Sequence, residues 1–148
     1  MMTPFDLKNV LFARHAQHVV LIHFPVALCM AAVLFDYLAL WNKSRALAEA
    51  AYLNPTVAAI STIPVLLSGV AAWQWALDGQ KLKGILLLHL VLGCTSAVLI
   101  WTVFLLHRRA RHSSGTSAWK LRLPLETMGV LVVALTAHLG GFLSGVNA

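Results

Sequence analysis

Three of this chain's histidines, His23, His89 and His138, fall inside three separate apolar stretches of the sequence. An ionisable side chain in hydrocarbon is costly, so it usually faces the interior of a bundle and marks a site. Histidine is also the commonest metal ligand, through a neutral imidazole nitrogen. Three chemistries suit such a set. Two imidazoles on facing helices can hold a b-type haem as axial ligands, with small residues beside the ring. Three imidazoles can hold copper or zinc directly. A chain of histidines and acids can relay protons.

These residues need elements to position them, and composition says which. Of 148 residues, 59% are hydrophobic and 11% charged, with a mean hydropathy of +0.79. A soluble domain carries roughly a quarter charged residues. Four stretches almost without charge, 19–40, 50–77, 84–106 and 127–148, are each long enough to span a bilayer, which takes about 20 apolar residues. The pattern predicts an all-α, integral membrane four-helix bundle, antiparallel and up-down-up-down. It is expected to form a single domain with helices at about 18–41, 51–77, 82–107 and 124–145. A short interfacial segment is expected at 3–17. The first stretch is too long for a signal-peptide core and lacks a small-residue cleavage pattern, so it reads as a retained helix.

Asp78-Gly79 predicts a tight turn. Pro64 predicts a bend in the second helix, and Pro124 reads as an early residue of the fourth. Trp41, Trp73, Trp75 and Trp119 suit the membrane interface. Cys29 and Cys94 lie inside helices, which argues against a disulfide, and no C-x-x-C-H run attaches a c-type haem.

Counting along the helices puts His23, His89 and His138 in one layer, roughly 8–10 Å from one face at 1.5 Å per residue. His18 lies nearer the surface, as an alternative ligand or as a partner that hydrogen-bonds a ligand from behind, and His15 nearer still. His107 and His112 read as solvated. Small residues share faces with the layer: Gly93 and Ser96 with His89, and Ala134, Gly141 and Gly145 with His138, while Ser61, Ser68 and Ala72 line the second helix. Such stripes let helices approach closely and leave room for a flat cofactor. A faint repeat aligns His23 with His89 and Leu67-Ser68-Gly69 with His138-Leu139-Gly140.

Lys8, Arg14, Lys81 and Lys83 flank one face, and Lys43, Arg45, Arg108, Arg109, Arg111, Lys120 and Arg122 the other. The positive-inside rule puts the richer face in the cytoplasm and both termini outside, in the periplasm of a bacterial inner membrane. The net charge of +6 suits anionic lipid; without a separate basic domain, nucleic acid is not an expected partner. The acids Asp6, Asp36, Glu49, Asp78 and Glu126 read as scattered. No paired carboxylates or Ser-His-acid set follows from them, which argues against an enzyme acting alone. Asp36, near the face opposite the histidines, places proton relay last.

The run His18-Val-Val-Leu-Ile-His-Phe-Pro25 resembles the opening signature, His-Pro-x-x-Val-His-Phe-Pro, of a bacterial family of predicted four-helix membrane proteins without an assigned function. Phe35-Asp36, Ser68-Gly69, Asp78, His89 and the closing Ala137-His138-Leu139-Gly140-Gly141 extend the likeness over nearly the whole chain. The resemblance implies a four-helix membrane fold. Some members are joined to Rieske-type or c-type cytochrome domains, which implies redox work and haem. Val19 departs from the signature's proline, and the histidine-glycine expected after Gly141 is replaced by Phe142-Leu143-Ser144-Gly145.

The reading is a membrane electron-transfer subunit that binds b-type haem through His23, His89, His138 or His18 near the outer face. A periplasmic redox protein, a larger membrane complex or quinol would be its partner. The alternatives are a structural or assembly subunit without a cofactor and a copper- or other metal-binding membrane protein.

Overall fold

In a computed structural model, residues 16–112 and 117–145 are described, with side chains from Gln17 onward and, in the last helix, from Leu121. The segment expected at the interface lies outside them up to His15, as do residues 113–116 and the side chains of Trp119 and Lys120. Four helices follow one another: α1 (Ala16–Asn42), α2 (Arg45–Ala76), α3 (Gly84–His112) and α4 (Ser117–Leu143). Each holds a span long and apolar enough to cross a membrane. Leu67, Val98 and Leu131 stand well exposed on the outside of the bundle, as expected of lipid-facing residues.

The helices run past the apolar stretches. α2 begins at Arg45 because Ser44 caps it, in extended backbone with its hydroxyl accepting from Leu47 N–H at 3.4 Å. α3 continues to His112, and α4 starts at Ser117, so Pro124 lies within it. The expected turn is present. Asp78 and Gly79 both take left-handed backbone, and Gly79 N–H reaches back to Trp73 C=O at 3.1 Å.

The helices form a ring in which α1 packs on α2, α2 on α3, α3 on α4 and α4 on α1. Contacts join the start of α1 to the end of α2 and the start of α3 to the end of α4. At the opposite end, α4's first turns meet the last turns of α1 and α3. The middle is an apolar layer of Ala58, Ala59, Ile100 and Val133, flanked by Val26, Leu28, Cys29 and Phe104. Small side chains in α2 allow that close approach.

The buried positions repeat at an interval of 71 residues. Pro25, Ala32 and Asp36 of α1 correspond to Ser96, Val103 and His107 of α3; Ala51, Pro55, Ala58 and Thr62 of α2 correspond to Arg122, Glu126, Gly129 and Val133 of α4. All are buried. The chain is thus two helical hairpins of one design. This interval replaces the alignment of His23 with His89 expected from the sequence: the partner of His89 is His18.

Candidate functional site

At the end of the bundle formed by the 77–83 loop, each hairpin seats a histidine from its first helix against a glycine of its second. A Cβ on Gly69 would lie 3.0 Å from His18 Cε1, and one on Gly140 would lie 3.2 Å from His89 Cε1. An alanine at either position would press on the ring, so glycine eases this close approach. The two imidazoles then face each other across the hairpins, edge to face, with centroids 6.4 Å apart.

Hydrogen bonds fix the tautomer of both rings. Ser68 donates its hydroxyl proton to Val65 C=O at 2.9 Å, so its oxygen accepts from His18 Nδ1–H at 3.0 Å. His89 Nδ1–H donates to Thr136 C=O at 3.1 Å. Each ring keeps its lone pair on Nε2, the arrangement in which metal-bound histidines are held by an outer partner. The rest of this seam is as expected on α3. Ser96 is buried and bonds Thr136 at 3.1 Å, and Gly93 stands against the same threonine.

The expected layer of three histidines does not assemble. His23 is exposed, its Nδ1–H turned back to Val19 C=O at 2.7 Å. His138 is also exposed, its ring edge-on to Phe142 at 5.1 Å. Gly141 accepts from Ser144 at 3.1 Å and lies one residue beyond the glycine that meets His89. Counting depth from the apolar boundary misplaced α1: His18 meets Ser68, and α2 runs on past that serine to Ala76. His18 is therefore well inside the end of the bundle. On α4 the inward stripe is Gly129, Val133, Thr136 and Gly140, the first two buried and the last two half-buried, and it neighbours the one expected.

At the other end lies a second constellation, which corrects two readings of the sequence. Asp36, His107, Arg122 and Glu126 converge from α1, α3 and α4, and all four are buried. Arg122 Nη2 donates to Asp36 Oδ1 at 2.6 Å, and its Nε lies 3.7 Å from Glu126 Oε1. His107 Nε2 bonds the same Glu126 oxygen. The acids are therefore not scattered, and His107 is not solvated. Nor does Arg122 flank a span, which lowers the basic excess of that face. The missed signal was the Arg122…Glu126 pair at i, i+4, which an α4 starting at 124 cuts in two.

Among the described residues, Asp36, His107 and Glu126 are the one group of three or more metal-capable side chains whose donor atoms come within reach of a common ion. The His18–His89 pair accordingly has no third donor among those residues. Outside the ion cluster, Arg111 Nη2 donates to both carboxylate oxygens of half-exposed Glu49, at 2.7 and 2.6 Å, and the guanidinium lies 4.2 Å over the Tyr52 ring. Tyr52 in turn packs 6.4 Å from His107.

Residues 14–146 match a family described as Predicted membrane protein (DUF2231). No curated protein and no solved structure matches the chain.

Proposed function

This chain belongs to the DUF2231 family of predicted membrane proteins, and we propose that it is a membrane electron-transfer subunit holding a b-type haem between His18 and His89. The observation that carries this reading is that, among the described residues, the donor set of histidine, cysteine and carboxylate side chains at this end is two. Zinc takes four protein ligands in a structural site and three in a catalytic one, and copper in its His-rich sites draws on further donors. Haem iron asks the protein for axial ligands alone, since its macrocycle supplies the rest.

The spacing agrees with that role. Metal–imidazole bonds are about 2.0–2.1 Å, so two imidazoles on one ion have centroids roughly 6 Å apart, close to the separation found, and one ring would turn from its edge-to-face pose to aim its Nε2 at the iron. Gly69 and Gly140 let each ring lie close against the neighbouring helix, and the Nδ1 hydrogen bonds leave each Nε2 as the ring atom with a lone pair for ligation. When bound, haem would supply a one-electron couple. The protein's part is to orient both imidazoles and to set the burial and hydrogen bonding that tune the potential. The basic excess at the 43–44 end supports an orientation with the histidine pair toward the outside of a bacterial inner membrane. A periplasmic redox protein, quinol or a larger complex would then be its partner.

Oxidised and dithionite-reduced absorption spectra of the purified protein, with iron and copper analysis, test this. Sharp reduced α and β bands with stoichiometric iron are expected in wild type and in His23→Ala and His138→Ala. They should be lost in His18→Ala and His89→Ala. A folded protein that is colourless after expression with ample haem overturns the reading. Copper without iron would make it a metal-ion site, and no metal would make it a scaffold.

A further inference from the structure

The ion cluster at the 43–44 end plays no part in the proposed haem ligation, yet it buries four ionisable side chains. Buried charges in a bilayer persist when paired or functional. Its arithmetic does not close on its own residues. Arg122 is a permanent cation, while Asp36 and Glu126 supply two carboxylates. One positive charge must be added for neutrality.

Each carboxylate also has an oxygen to spare. Asp36 Oδ2 and Glu126 Oε2 are buried with no hydrogen-bond partner, although Oδ1 and Oε1 are engaged. A divalent metal ion would overshoot neutrality by one charge, and it would have to sit beside the Arg122 guanidinium. A proton balances the cluster. We propose that Asp36, His107, Arg122 and Glu126 form a proton-binding site that loads and unloads one proton from the 43–44 face of the membrane.

The proton is shared between His107 and Glu126, whose Nε2 and Oε1 are hydrogen-bonded. As the N–H bond of imidazolium breaks and the O–H bond forms, imidazolium and carboxylate become neutral imidazole and carboxylic acid. Water or buffer at the face accepts or returns the proton. Arg122 keeps its charge, is anchored by Asp36 at 2.6 Å, and sits beside Glu126.

Every packed element contributes to the surroundings. α1 brings Asp36 and Cys29, the latter lining with Glu126 a cavity of ≈ 20 Å³, room for about one water. α2 brings Tyr52 and, above it, Glu49. α3 brings His107 and Arg111, and α4 brings Arg122 and Glu126. Access is one-sided. Tyr52, with the Arg111 guanidinium stacked on its outer side, leads from the surface to His107. On the inner side, the apolar layer of Ala58, Ala59, Ile100 and Val133 separates the cluster from the histidine pair.

Infrared pH-difference spectroscopy of the protein in lipid bilayers tests the proposal without reference to haem. Glu49 and Glu126 are the chain's two glutamates. In a Glu49→Gln background, which changes a half-exposed side chain, 13C-glutamate labelling therefore reports Glu126 alone. A reversible carboxylic-acid C=O band that shifts with the label is expected, and Glu126→Gln should abolish it. No label-sensitive band at any pH at which the protein stays folded would overturn the proposal, whether or not Glu126→Gln folds. So would stoichiometric retention of added Zn²⁺ that Asp36→Asn abolishes.

Discussion

A buried guanidinium is tolerable while its carboxylates remain and costly to its partners once it is gone. Truncating Arg122 leaves Asp36, 1% exposed, facing hydrocarbon with one fewer donor. Removing one member of a buried pair typically costs about 3–5 kcal/mol. Arg122→Ala is expected in that range by SDS titration in mixed micelles. Arg111→Ala, which breaks the half-exposed pair with Glu49, should cost about 0–1 kcal/mol. Two glycines offer a second contrast. A Cβ on Gly140 presses on the His89 ring at 3.2 Å, whereas one on Gly93 meets Thr136 at an ordinary 3.9 Å. Gly140→Ala should destabilise by about 1–3 kcal/mol through overpacking. Gly93→Ala should be neutral or gain up to about 1 kcal/mol, since alanine is the better helix former. Equal costs in the same titration would show that the glycine–imidazole contact is not what Gly140 is for. Of these residues, His89, Gly93 and Ser96 were legible in the sequence because spacing on one helix reveals a shared face. The pairing of His18 with Gly69 was not, because it depends on how two helices slide against each other.

At the scale of the helix, hydropathy located four spans but not their ends. Lipid solvates only the apolar part of a helix, while hydrogen bonding continues into water until a cap or a turn stops it. Arg45–Ala50 is too polar to register as a span, yet Ser44 starts α2 there with its side chain. The consequence is testable: Ser44→Ala should cost about 1 kcal/mol and fray the first turn, read as faster amide exchange confined to the residues after Arg45. Faster exchange spread over all of α2 would mean that Ser44 acts through packing. The same blindness hid the ion cluster. Arg122 and Glu126 belong to one helical stripe with Gly129 and Val133, but the stripe crosses the point where apolar composition begins. A pattern search for the helix period would have joined them. A search for charge-free stretches assigned Arg122 to a loop.

At the scale of the molecule, the 71-residue repeat explains why two sites lie at opposite ends of one bundle. Copying a hairpin duplicates every inward position, so each end receives a facing pair: His18 with His89 at one, Asp36 with His107 at the other. The first pair sees like surroundings, a glycine on each neighbouring helix. The second does not. Where α4 presents Arg122 and Glu126, the corresponding positions of α2 are Ala51 and Pro55. Equivalent backbone is thereby given unequal electrostatics, and an exchange of residues between the halves separates the two. The double swap Ala32→Val with Val103→Ala keeps total volume at matched buried positions and should cost less than about 1.5 kcal/mol. The swap Asp36→His with His107→Asp keeps composition and position but sets a second carboxylate directly against the Glu126 oxygen that His107 now bonds and an imidazole against Arg122. It should cost at least the 3–5 kcal/mol or so of a broken buried pair. Thermal unfolding of both proteins in one detergent decides the matter. A tolerated Asp36/His107 swap would mean that the cluster is indifferent to which hairpin carries the acid. An intolerant Ala32/Val103 swap would mean that the halves are alike in fold but not in packing.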